Sequence, residues 1–204
     1  MSQALGRLSD PPDSTDEALL NAPLFHTLVD RLDDEKRHVV LDLGPPQAGT
    51  VALFGRFRCR LDVGDFAANL KTVQAQTEPE KLPETIAGVL PPVRREHADI
   101  ILCWDLFNYL ERPALKALMD GVAEHGQAGT LVHALVVYSA RQMPVLPNRY
   151  VPVDDHSLRI VANTQEMRPA PRYSPEDLGL CMPAYSLERA MLLRNGMQEF
   201  LFRL

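Results

Sequence analysis

The chain has 204 residues, 46% of them apolar and 24% charged, with a formal net charge of -6 at neutral pH. This composition describes one globular, core-forming domain with some chain to spare, and it excludes fibrous and wholly disordered classes. The acidic balance speaks against a general affinity for nucleic acid, which needs clustered Lys and Arg. No apolar run approaches the ~20 residues that span a bilayer, and the polar, proline-containing N-terminus lacks a signal-peptide core. The expected location is therefore the cytoplasm, away from any membrane. Cys59, Cys103 and Cys181 are widely spaced and form no CxxC pair; they read as buried small residues, and no metal site is expected.

Residues 1 to 22 are polar and carry a Pro-Pro pair, which predicts a flexible N-terminal arm ahead of an α/β domain over 23 to 204. From Pro23 to about Arg37, apolar residues recur at helical spacing and end in the charged run DDEKR, predicting an amphipathic helix. HVVLDL follows as an unalternating strand of the kind covered on both faces, AGTVALFGRF as a short helix, and RCRLDVGDF as a second strand ending in acids. Strand, turn, helix and strand within about thirty residues make one βαβ unit. Residues 66 to 97 are helical in character and contain no convincing strand. ADIILCWDLFNYL then predicts a strong strand ending near Asp105, followed by a helix with Pro113 in its first turn and an inward stripe of Leu115, Leu118, Met119 and Val122. GTLVHALVVY is the next strand.

The alternation implies a mostly parallel, Rossmann-like sheet with helices on both faces. At the C-terminus, Asn195-Gly196 divides two segments that each suit a strand, a strong signal for a tight antiparallel hairpin. The competing reading is a helix over residues 186 to 194 followed by a single strand. Between these regions, residues 139 to 177 form a proline-rich insertion with interleaved Arg and Tyr, in which SLRIVAN suits a small strand and DDH a polar turn. Insertions of this length often form lids or partner surfaces. Arg149 and Arg172 are its candidates for contacting an anionic substrate, with solvated loop charge as the plainer reading.

A parallel α/β sheet closed by an antiparallel hairpin resembles the class I S-adenosylmethionine-dependent methyltransferase fold. VVLDLG resembles the first strand and opening of that family's glycine motif, LDVGD its second strand with a terminal acid, and ADIILCWDLFNYL its fourth strand. The resemblance covers about residues 38 to 204 and implies S-adenosylmethionine as cofactor, with a small molecule or a protein as substrate. In such a site a glycine turn lets backbone amides approach the ligand, and an acid about twenty positions further on accepts the ribose hydroxyls. Asp42 and Gly44 match the turn, Asp62 the ribose acid with Asp65 as fallback, and Trp104 lines the same pocket. Asp105, at the end of the fourth strand, is the candidate catalytic residue, to orient a substrate or take its proton. The bland alternatives are that Asp42 and Asp105 cap the turns that follow them and that Trp104 packs in the core.

The chain departs from the family pattern at Pro46 and Ala48, where the second and third glycines would fall, and proline offers no amide. Two hypotheses follow. One is a cytoplasmic methyltransferase. The other is a catalytically inactive pseudoenzyme of the same fold, serving as a scaffold or regulatory subunit through a protein partner or a second copy of itself.

Overall fold

The computed structural model describes residues 17–204. Its main sheet has six strands: β2 (His38–Asp42), β3 (Cys59–Val63), β4 (Ile100–Trp104), β5 (Leu131–Val137), β10 (Ser186–Leu192) and β11 (Met197–Arg203). They lie in the order β10-β11-β5-β4-β2-β3. β3, β2, β4 and β5 run parallel, β11 is antiparallel to β5, and β10 is antiparallel to β11. The parallel strands β2, β4 and β5 are buried at every position, which is why they read as continuous apolar runs. The hairpin reading of the C-terminus holds: Gly196 sits at φ +81, a conformation L side chains rarely adopt, and the Asn195 side chain accepts from the Met197 amide at 3.2 Å.

Helices cover both faces. On one lie α1 (Pro23–Val29) and α2 (Ala48–Phe54); on the other lie α4 (Leu82–Val89), α5 (Arg112–Ala123) and α6 (Pro175–Cys181), with α5 packed against both α4 and α6. Residues 66–97 hold no strand, their regular elements being helical turns and helices such as α3 (Leu70–Ala75), so β3 is the edge of the sheet. The insertion contributes β6 (Gln142–Pro144), β7 (Arg149–Pro152), β8 (Ser157–Val161) and β9 (Met167–Pro169). β6 pairs with β9. β7 and β8 form a hairpin whose turn is the DDH segment, with the Asp154 carboxylate accepting from the His156 and Ser157 amides.

Two expectations need correction. The arm expected over 1 to 22 ends sooner, because Glu17–Asn21 form β1, paired antiparallel with β8. Leu20 and Ala22 are buried there, and the Ala22 amide donates to the His156 carbonyl at 2.8 Å. A polar composition concealed a strand whose partner lies about 140 residues away; residues 1–16 of that expectation fall outside the described residues. The helix expected to reach about Arg37 stops at Val29. In the charged run, Asp33 instead accepts from the amides of Glu35 and Lys36, a side-chain-closed turn that competes with helix.

α1 is held from across the sheet. Ala22, its N-cap residue, supplies no side-chain bond. The orphan amides of Leu24 and Phe25 donate instead to the two carboxylate oxygens of Glu199 on β11, at 2.9 and 2.8 Å. His133 on β5 meets the same carboxylate at 2.8 Å, and both side chains are fully buried. Removing one partner from such a buried network leaves the others unsatisfied. Glu199→Ala is expected to lower the unfolding free energy by on the order of 3–5 kcal/mol in urea denaturation. Glu199→Gln, which keeps one acceptor oxygen, should lose clearly less.

Candidate functional site

The carboxyl ends of β2 and β4 bring Asp42, Gly44, Trp104 and Asp105 together. Asp42 ends β2 and is almost fully buried. One of its oxygens accepts from the Gly44 amide at 2.8 Å and from the Trp104 indole nitrogen at 2.6 Å. Burial raises its carboxyl to about 6, against the downward pull of those two donors.

The indole reaches Asp42 because β4 is irregular at its end. The register with β5 shifts between Leu102 and Trp104, and Trp104 adopts φ +49, where a non-glycine residue is strained. That turn lays the ring directly over the glycine: a Cβ added to Gly44 would stand 2.7 Å from Trp104 Cδ1. Tyr150, from β7, stacks on the indole, with ring centroids 5.7 Å apart and planes 5° from parallel. Phe25 and His133 pack against the indole as well. The close approach that the glycine permits is therefore used by the protein's own tryptophan.

The rest of the turn is covered too. Pro45 and Pro46 carry no amide hydrogen. A Cβ on Gly49, in the first turn of α2, would lie 2.6 Å from both the Pro152 carbonyl oxygen and a Val151 methyl, so β7 is packed onto the start of that helix.

Asp105 follows Trp104 and is 2% exposed. Its Oδ2 accepts from the Asn148 amide at 3.1 Å, the Asn148 side chain at 3.4 Å and the Tyr150 hydroxyl at 3.3 Å. Oδ1 is buried without a hydrogen-bond partner. Burial pushes this carboxyl up to about 7, outweighing the bonds from Asn148 and Tyr150 that pull it down.

Asp62 does not join this group. It is in register with Leu41, one position short of Asp42, so its side chain leaves by the other face of the sheet. There it pairs with Arg60 at 3.1 Å and Arg94 at 3.7 Å, and Arg60 also contacts Glu96. Asp65, in the left-handed region at φ +38, is close enough to Asp42 to help raise its carboxyl. Of the insertion's arginines, Arg149 is half-buried on β7, while Arg172 lines a separate groove beside α5.

Sequence reasoning missed Asn148, Tyr150, His133 and Glu199 as parts of this region. For Asn148 and Tyr150 no spacing signal exists, since they reach Asp105 from more than forty residues away. Glu199 did leave a trace: an acid at an inward position of a strand is a signal that a buried donor awaits it.

A nucleoside cofactor would need the Gly44 turn open, amides beyond it, and an acid at the end of β3 turned toward the turn. As arranged, the turn is under Trp104, Pro45 and Pro46 offer no amide, and Asp62 is tied to arginines on the other face, which leaves Asp65 as the acid near Asp42.

The strand order, four parallel strands closed by an antiparallel pair, is that of a Rossmann-like, class I methyltransferase-like fold. No protein-family model matches the chain, and no curated protein matches it in sequence. Among solved structures it is similar to the glycopeptide N-methyltransferase MtfA complexed with sinefungin, at 10% identity and TM-score 0.46 over 89% of this chain and 91% of that one. It is likewise similar to an S-adenosylmethionine-dependent methyltransferase from Clostridium acetobutylicum ATCC 824, at 13% identity and TM-score 0.48, covering 89% of each chain. A third is the DhpI-SAM-HEP complex, at 14% identity and TM-score 0.47 over 89% of this chain and 85% of that one. The fold class rests on this chain's own strand order.

Asp105 titrates higher in the folded chain than in the unfolded one, where an aspartate loses its proton near 3.9. Its proton thus favours the folded state at low pH, and that contribution is lost as pH rises from about 4 to about 7. Asp105→Asn is expected to remove this part of the pH dependence and to stabilise the protein at about pH 8 by on the order of 2–4 kcal/mol in urea denaturation.

Proposed function

We propose that this protein is a methyltransferase-fold binding or regulatory module that does not itself transfer methyl groups. The observation that carries this reading is the indole of Trp104 lying on Gly44 and bonded to Asp42, in the place where a cofactor of this fold class would meet the chain. The packing of β7 on the first turn of α2 and the ion pairs of Asp62 support it. Asp105 has a carboxyl near the range useful to a general base, but Asn148 and Tyr150 take its outward bonds and it is closed from solvent. Among the described residues no helix is long and apolar enough to cross a membrane. Free Cys59, Cys103 and Cys181 suit the reducing cytoplasm as the working compartment.

The rival reading, an active methyltransferase on a small molecule or protein, draws on neighbours in the same fold whose structures hold S-adenosylmethionine, S-adenosylhomocysteine or sinefungin. The two readings separate cleanly because Trp104 is the one tryptophan of the chain. Any ligand entering the Gly44 turn must move it. Titration with S-adenosylmethionine and S-adenosylhomocysteine, followed by calorimetry and tryptophan fluorescence, is expected to show neither heat nor a change in emission at millimolar ligand. Micromolar binding with altered Trp104 emission would establish a working cofactor site and sink this proposal.

A further inference from the structure

Beside the closed crevice, at the carboxyl end of the sheet, an open groove of about 1070 Å³ runs between the α3–α4 connection, the start of α5 and residues 168–173. Its size is slightly above the range of about 300–1,000 Å³ that small-molecule sites span. Arg112, Arg168 and Arg172 lie on its wall, and Glu111 is the one acid among the described residues that line it. A groove with this balance stands out in a chain of net charge -6.

The arginines are not equivalent. Arg112 is already paired with Asp177 at 2.7 Å and lies over the Tyr173 ring. Arg168 is fixed without an acid: its guanidinium sits 5.0 Å from the centre of the Tyr109 ring and donates to the Asn108 carbonyl at 2.6 Å. Its Nε is buried with no hydrogen-bond partner. Asn108 is anchored in turn, donating to the Asp105 and Leu135 carbonyls and accepting from the Val137 amide. The guanidinium is thereby mounted on the end of the main sheet. Arg172, four residues on, is exposed and has no acidic partner among the described residues. A positioned guanidinium with a second on the same groove is an arrangement suited to anionic oxygens, which arginine binds through directed, charge-assisted bonds.

We infer that this groove binds a small organic anion through Arg168 and Arg172, a molecule of nucleotide size carrying phosphate or carboxylate oxygens. The inference deepens the binding-module reading by naming a ligand class, and it stands or falls separately. Cofactor titration reports on Trp104, whereas anion titration reports on Arg172.

The test is calorimetric titration of the full chain with adenosine monophosphate, citrate and inorganic phosphate, at low and at moderate salt. Adenosine monophosphate stands for the phosphate source and citrate for the carboxylate source, and the tighter of the two identifies the anion. Saturable binding of at least one, weakened by salt, is expected. Arg172→Ala should weaken it about tenfold with the melting temperature unchanged. Arg168→Gln, which can still donate to the Asn108 carbonyl, should weaken it at least as much. Three results would each overturn the inference: no saturable binding of any probe, binding that both variants leave intact, or inorganic phosphate binding as tightly as the organic anions.

Discussion

The hydrogen bond from the Trp104 indole to Asp42, 2.6 Å long and buried, sets the character of the carboxyl end of the sheet. An aspartate at the end of a parallel strand is costly to bury unless donors reach it. Here the donors are the Gly44 amide and an indole delivered by a strained, left-handed residue. Once the ring is there its face needs covering, and Tyr150 stacks on it. Tyr150 also turns its hydroxyl to Asp105, so the two buried acids belong to one cluster of aromatic and amide donors. Strain at Trp104 is tolerated because Asp42, Tyr150, Phe25 and His133 all contact the same ring.

That cluster ties the insertion to the sheet. β7 brings Tyr150 to Trp104 and lays Val151 and Pro152 over the start of α2, while the Tyr109 hydroxyl donates to the Leu146 carbonyl. β8 then serves β1, drawing Glu17–Asn21 onto the edge of the same small sheet and placing Pro23 at the start of α1. The Glu199 carboxylate completes the arrangement from the far side of β5 by receiving the first free amides of that helix. Closure of the crevice and anchoring of the chain's beginning thus share their parts. The large open groove lies next to this cluster, where Arg168 reaches the same sheet end through Asn108.

Most of the architecture was legible in the residues. β2, β4 and β5 are short apolar runs without alternation, a pattern that buried parallel strands require, and the stripe on α5 repeats at helical spacing. The final hairpin was legible because Asn-Gly meets the turn's demand for positive φ. What failed was partly nonlocal and partly local. Glu17–Asn21 looked like loose chain because its stability comes from β8, and the charged run after α1 looked helical because turn closure by Asp33 competes with helix at similar local cost. Asp62 was placed by separation from Asp42, but separation does not say which face of a strand a side chain leaves; register with Leu41 does.

For the candidate site, the sequence alone determined that Asp42, Gly44, Trp104 and Asp105 fall at strand ends, because strand length and the glycine that follows are local properties. It also showed that Pro45 and Pro46 withhold amides. Only the tertiary structure decided that Trp104 turns inward over Gly44, that Tyr150 seals it, and that Arg168 is held beside a groove. Each of those outcomes depends on pairs of residues far apart in the chain, whose meeting is set by packing of the whole fold and leaves no periodicity behind.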